Sequence, residues 1–142
     1  MDFEYLTLEG REVNKVVRSE LGDAVIGCAI EVHRVLGPGL LESAYERCLA
    51  REMELAGLKF ACQVPLPVLY KGVHIDCGYR LDMVVEGRLL IELKSVERLL
   101  PIHDAQVMTY LKLTGLPQAF LMNFNVPRLK DGLKSYLIPD GK

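Results

Sequence analysis

The run Tyr79-Arg80-Leu81-Asp82-Met83-Val84-Val85-Glu86-Gly87-Arg88-Leu89-Leu90-Ile91-Glu92-Leu93-Lys94 decides how this chain folds. Tyr79 to Val85 and Leu89 to Lys94 read as two β-strands, and Glu86-Gly87 between them is a hairpin signal. Side chains alternate faces along a strand. Leu89, Ile91 and Leu93 therefore fill one face, while Leu90, Glu92 and Lys94 share the other. In the first strand Leu81, Met83 and Val85 form one face and Asp82 falls on the opposite one. With Val85-Glu86-Gly87 as a three-residue loop, Gly87 takes a left-handed conformation. Asp82 then faces Leu90 and Glu92 lies diagonal to it, about 7–8 Å away at Cα. A slip of one residue would put the two carboxylates on opposite faces.

Upstream of this hairpin the apolar period is helical. Leu21, Val25, Cys28, Val32 and Val35 recur at steps of three and four. Gly37-Pro38-Gly39 stops that helix, whose start is expected near Asn14 or Ser19. A second helix is expected from Leu41 to Ala56, with Gly57 as its stop. Lys59 to Tyr70 is rich in Val, Leu, Phe and Pro, and Lys71-Gly72 offers a turn before Val73. Downstream, Asp104 to Thr114 reads as a helix with Asp104 as N-cap and Gly115 as stop. Gln118 to Asn123 reads as a buried strand, and Ser135 to Ile138 as a last one. The order predicts an α/β (α+β) fold with a central mixed β-sheet flanked by helices.

The chain has 142 residues, the size of one domain. Residues 1–18 form a polar lead-in and 19–138 the core. Hydrophobic residues make up 50%, which excludes disorder as the default. Lys plus Arg is 17 and Asp plus Glu 19, a net charge of −2, so bulk positive charge does not drive nucleic-acid binding. With no Trp and 7% aromatics, broad base-stacking platforms are not expected. No basic start leads into an apolar run, and no apolar stretch approaches the roughly 20 residues of a membrane span. Cys28, Cys48, Cys62 and Cys77 contain no CxxC pair, and Cys28 and Cys48 fall among apolar residues at helical spacing, so they read as buried thiols in a reducing, cytoplasmic setting rather than as a zinc site. His33, His74 and His103 show no ligand spacing. His33 reads as a packed or capping imidazole, and His103 as a helix cap.

Two carboxylates meeting beside a lysine make a hard-oxygen site suited to Mg²⁺, which takes few carboxylates together with waters and phosphate oxygens. A cation there would acidify a water and offset charge building on phosphorus; Lys94 would orient that water or stabilise the same charge. A second reading stands beside this one: Glu92 and Lys94 as a solvated ion pair on an exposed sheet face. Glu42 falls beside Leu49 and Met53 on the helical wheel, at the edge of the apolar arc, although Glu52 lies within that arc as well. Gln106 and Tyr110, four apart, share a helix face, where ordinary packing explains them equally well. Arg128, Lys130 and Lys134 form either a phosphate-contacting edge or a solvated loop.

Gly39-Leu40-Leu41-Glu42-Ser43-Ala44-Tyr45 matches the pattern GxxExxY. With Val32-His33, Gly37-Pro38-Gly39, Tyr79-Arg80-Leu81-Asp82, Ile91-Glu92-Leu93-Lys94, Gln106 through Tyr110-Leu111-Lys112 and Asn123-Phe124 in order, the chain resembles the GxxExxY family. That is a group of small bacterial and archaeal proteins within the PD-(D/E)XK nuclease superfamily. The resemblance covers roughly residues 20 to 125. It implies a restriction-endonuclease-like core and metal-dependent hydrolysis of DNA or RNA. Asp82 looks like the motif aspartate, although Leu81 stands where the motif has proline. Glu92 and Lys94 look like the ExK, Glu42 like the helix glutamate that joins the metal site, and Gln106 with Tyr110 like the QxxxY element. Mg²⁺ or Mn²⁺ would be held by Asp82, Glu92, Glu42 and the Leu93 carbonyl, with Tyr45 and Tyr110 near the substrate. Nucleic acid is the implied partner, and a homodimer would let so short a chain cover more of it. The alternative is a non-catalytic nucleic-acid- or protein-binding module that keeps the fold.

Overall fold

A computed structural model describes residues 5–7, 12–13 and 19–138. In chain order the elements are β1 (Tyr5–Thr7), β2 (Glu12–Val13), α1 (Glu20–Leu36), α2 (Glu42–Leu55), β3 (Phe60–Pro65), β4 (Val68–Tyr70) and β5 (Val73–Ile75). They continue with β6 (Arg80–Val85), β7 (Leu89–Lys94), α3 (Pro101–Thr114), β8 (Gln118–Asn123), a 3-10 turn (Leu129–Gly132) and β9 (Leu133–Leu137).

The helix ends follow from local chemistry. Ser19 caps α1 by accepting the Gly22 N–H at 2.9 Å. Gly37, at φ 69°, ends it, its N–H donating to the His33 carbonyl. At the end of α2, the Gly57 N–H donates to Glu54 and the Leu58 N–H to Met53. That is the paired bonding of a Schellman stop, with glycine at φ 77° supplying the left-handed residue. The third helix begins three residues earlier than expected. Pro101 opens it, because a missing N–H costs nothing in a first turn. His103 accepts the Leu100 N–H through Nδ1 at 2.9 Å, so His103 caps this end and Asp104 does not. Asp104 instead accepts from Lys134 at 3.1 Å and from the Tyr136 hydroxyl.

One sheet of seven strands runs in the order β2-β1-β9-β8-β7-β6-β3. The pairs β7/β8 and β1/β9 are parallel and the others antiparallel. Two short strands thus lie where the sequence suggested a featureless lead-in. Segments of three and two residues are too short to carry a period-two signal, and they join by backbone pairing. Helix α3 spans the crossover from β7 to its parallel neighbour β8, the connection such a pair requires. The pleat divides the core. Met83, Leu89, Ile91, Leu93, Phe120 and Met122 pack under α1 and α2, whereas Leu90, Ala119, Leu121 and Tyr136 pack with Val107 and Leu111 of α3. Apolar on both faces, β7 is the centre of the molecule. The β4/β5 hairpin forms a separate two-stranded sheet, turning at Lys71-Gly72 with φ of 48° and 82°, as the sequence suggests.

The last turn before β9 fits only glycine. A Cβ on Gly132 would lie 2.1 Å from the Asn123 carbonyl oxygen, a backbone atom with nowhere to go. Gly132→Ala is therefore expected to lose about 3 kcal/mol or more of stability. An unchanged urea midpoint would show that this crossing yields.

Candidate active site

The hairpin turn sets the site. Glu86 and Gly87 are both left-handed, with φ of 53° and 66°, and the Arg88 N–H closes onto the Val85 carbonyl at 3.0 Å. The Glu86 carboxylate accepts the Lys59 N–H at 2.8 Å, which helps hold a non-glycine residue in that conformation. The loop is thus Glu86-Gly87-Arg88, and Val85 pairs with Leu89. Relative to the expected register this is a shift of two residues. Parity survives along the paired residues, and the shift brings Asp82 next to Glu92 rather than leaving the two diagonal.

The ladder between β6 and β7 runs from Val85↔Leu89 to Met83↔Ile91 and goes no further. Beyond it the strands fork, and the two carboxylates fill the gap crosswise. Glu92 Oε2 accepts the Asp82 N–H at 2.9 Å, and Asp82 Oδ2 accepts the Leu93 N–H at 2.8 Å. The change of course is visible in packing: Met83 sits under α1 and α2, yet Leu81, of the same parity, packs on the α3 side. A strand residue turns its N–H and C=O to the same neighbour. Lys94 faces β8, accepting from the Phe124 N–H. Leu93, one residue back, therefore turns its carbonyl toward the fork.

Glu92 is 4% exposed, which removes the reading of Glu92 and Lys94 as a solvated surface pair. Burial pushes its carboxyl up to about 8, and the negative charge of Asp82 adds to the shift. The Asp82 N–H and the Lys94 ammonium act the other way, and Glu42 adds a smaller upward push. Burial likewise raises Asp82, against the Leu93 N–H, Lys94 and the Gln63 amide. Lys94 is half-buried.

Helix α2 and strand β3 complete the acidic side. Glu42, exposed, is the first residue of α2, a favourable place for an anion. One turn on, Glu46 accepts the Gln63 amide at 2.7 Å, and burial together with the Asp82 charge raises its carboxyl. Gln63 is left-handed, φ 53°, inside β3, and its amide reaches Asp82 as well as Glu46. Neither Glu46 nor Gln63 was among the residues singled out from sequence. The available signals were the i, i+4 spacing of Glu42 with Glu46 and one polar residue within an apolar run.

On the α3 side the Gln106 amide donates to the Tyr110 hydroxyl at 3.1 Å. Burial raises Tyr110, followed by the negative charge of Glu92. Tyr110, and Gln106 through its bond to it, lie on the α3 side within range of the Glu92 charge. Tyr45 does not lie there. It is fully buried, stacked on Phe124 with ring centroids 4.5 Å apart, and its hydroxyl donates to Gly37 and accepts the Leu40 N–H. Tyr45 latches the Gly-Pro-Gly turn that carries Glu42. Ser95 ties the same loop to the end of β7 by donating to the Leu40 carbonyl at 2.6 Å. The proposed basic edge is also divided, with Lys134 on Asp104 and Arg128 on Asp131. His33 is a packed imidazole bonded to the Val126 carbonyl; the cysteines are free, but only Cys28 is buried as expected, with Cys48 half-buried and Cys62 and Cys77 exposed.

A model of the PD-(D/E)XK nuclease superfamily matches residues 19–136. The chain belongs to that superfamily. No curated protein and no solved structure matched it. Superfamily nucleases act on nucleic acids and generally use divalent metals. Among the described residues no three His, Cys, Asp or Glu side chains draw together as a closed metal cage. The donor set nonetheless fits a hard cation. A buried carboxylate, a half-buried one beside it and a backbone carbonyl supply oxygen only, and Mg²⁺ fills its remaining positions with water and phosphate. No helix of the described residues is long and apolar enough to cross a membrane.

Proposed function

We propose that the chain is a Mg²⁺- or Mn²⁺-dependent nuclease of the GxxExxY group, cleaving DNA or RNA at the β6/β7 fork. The interlocked Asp82 and Glu92 carry this reading. Burial of Glu92, with the charge of half-buried Asp82 beside it, holds a proton near neutrality, and a divalent cation would offset both the burial of charge and the repulsion. Asp82, Glu92 and the Leu93 carbonyl would hold it, with Glu42 reaching in from α2. When bound, the metal supplies charge for the phosphate oxygens and a more acidic water. Lys94 donates to the attacking water or to the phosphate, keeping it in line. Gln106, fixed by Tyr110, orients a water or a phosphate oxygen from the opposite wall.

The test is incubation of labelled single- and double-stranded DNA and RNA with the protein, with and without Mg²⁺ or Mn²⁺. Cleavage is expected only with metal and not from Lys94→Ala. Cutting that persists in chelator, or in that variant, ends the assignment. The rival reading, a binding module, draws on the same bonds, since the crossed carboxylates also hold β6 to β7 where the ladder stops. Absence of divalent binding by calorimetry, with strong destabilisation in Asp82→Ala, would favour it.

A further inference from the structure

Beside the fork lies a cleft of about 380 Å³ that the hydrolytic residues do not use up. Val68 and Tyr79 form one wall, and Ile102, Gln106, Thr109 and Tyr110 of α3 face them. No residue lining it is charged. The cleft therefore does not suit a phosphate or a charged side chain, and favours a flat neutral group that binds by its faces. Tyr79 is 48% exposed and Ile102 67%, so both present open surface at the mouth. The Gln106 amide and the Thr109 hydroxyl each offer a donor and an acceptor, enough to satisfy the edge of any heterocycle.

The cleft lies on the Asp82 and Glu92 side of α3: Tyr79 on its wall precedes β6 by one residue, and the Tyr110 hydroxyl on the opposite wall feels the charges of Glu92 and Asp82. Tyr79 lies three residues before Asp82, roughly 10 Å along the strand direction, which is the reach of one nucleotide from phosphate to base. A base held in a stacked duplex has both faces covered, and only an unpaired one can enter. Two tyrosine rings, Tyr79 and Tyr110, on facing walls leave room for a single base.

We propose that this cleft receives one unpaired nucleobase of the strand whose phosphodiester lies at Asp82 and Glu92, so that single-stranded nucleic acid is the preferred substrate. This rests on the nuclease reading and narrows it to a substrate class. The probe is a short phosphorothioate-linked DNA, and an RNA counterpart, carrying 2-aminopurine, whose fluorescence falls on stacking. Each is titrated with the full chain in Mg²⁺, as a single strand and annealed to its complement.

The single strand is expected to bind more tightly and to be quenched. Tyr79→Ala is expected to weaken that binding about tenfold, and Tyr79→Phe, which keeps the ring, to retain it. Equal affinity for both strand forms, or an unaltered Tyr79→Ala, overturns the proposal. Duplex cleavage at the same rate by wild type and Tyr79→Ala overturns it too, while leaving the nuclease intact. Quenching that depends on Tyr79, with no cleavage of any unmodified strand, upholds the base pocket and overturns hydrolysis instead. An apolar peptide or small molecule as occupant would show as no quenching by either probe, which also overturns it.

Discussion

Glu92→Gln is expected to abolish cleavage while making the metal-free protein more stable at pH 8. The two effects share one cause. Glutamine keeps an oxygen to accept the Asp82 N–H, so the crossed bond survives. It removes the buried charge facing Asp82. The Glu92 carboxyl is raised in the folded state to about 8, from an ordinary value of 4.5. The folded chain therefore binds the proton more tightly than the unfolded chain does. That contribution to stability is complete below the unfolded value and is lost as pH climbs to about 8. Wild type should weaken over this window, and the glutamine variant, which has no charge to acquire there, should not. The expected gain is about 1–3 kcal/mol at pH 8 and little at pH 4, read from urea midpoints. Mg²⁺ should reverse the order at pH 8, because it stabilises only the chain that binds it. The lost ligand contributes several kcal/mol of charge stabilisation, so the rate should fall about a thousandfold or more. A variant less stable at both pH values would mean that the carboxylate is structural.

The sequence made the faces of β7 readable because period two sets Leu89, Ile91 and Leu93 against Leu90, whereas in β6 Met83 and Val85 keep the expected face and Leu81 does not. It did not make the register readable. Whether Val85 or Arg88 belongs to the loop depends on the left-handed Glu86 and its bond to Lys59, a contact 27 residues away. The error was two residues and so left parity intact. The same distinction separates Tyr45 from Glu42. Both stand in one short pattern, yet burial makes the tyrosine a latch and leaves the glutamate at the rim. Asp104 has the chemistry of an N-cap, but Pro101 and His103 fill that role first, and β9 then supplies Lys134 and Tyr136 as partners. Gln63 became visible only when β3 lay beside β6. Local pattern fixes helices and strand faces, whereas long-range pairing decides which polar groups meet.

The Gln63 link gives the acidic side a physical order. Its amide lies between Glu46 and Asp82, donating where two anions would otherwise face each other. Glu42 and Glu46 thus differ, the first exposed at the helix start with no side-chain hydrogen bond among the described residues and the second tied to β3. On the proposed reading, an incoming cation would meet Asp82 and Glu92 as the inner pair and the helix carboxylates as an outer rim.

Lys94→Ala separates binding from chemistry at this fork. The ammonium lowers both inner carboxylates, so its removal leaves Glu92 holding its proton more firmly. Near neutrality that proton competes with a metal, and affinity at pH 7 should fall. At pH 9, above the wild-type Glu92 value of about 8, that competition is much weaker. A neighbouring positive charge is gone as well, and repulsion between like charges a few ångströms apart is strong in a half-buried site. Divalent affinity at pH 9 should therefore equal or exceed that of wild type. Cleavage should still drop by roughly 10²–10⁴-fold, the range for loss of a group that positions or moves a proton. Lys94→Arg should restore affinity at pH 7 by restoring the charge, yet leave the rate low, because a planar fork does not replace a compact ammonium. If cleavage by Lys94→Ala recovered with metal saturation at pH 9, Lys94 would be serving only to tune the carboxylates. Activity that stays low with the metal site full places Lys94 on the water or the phosphate.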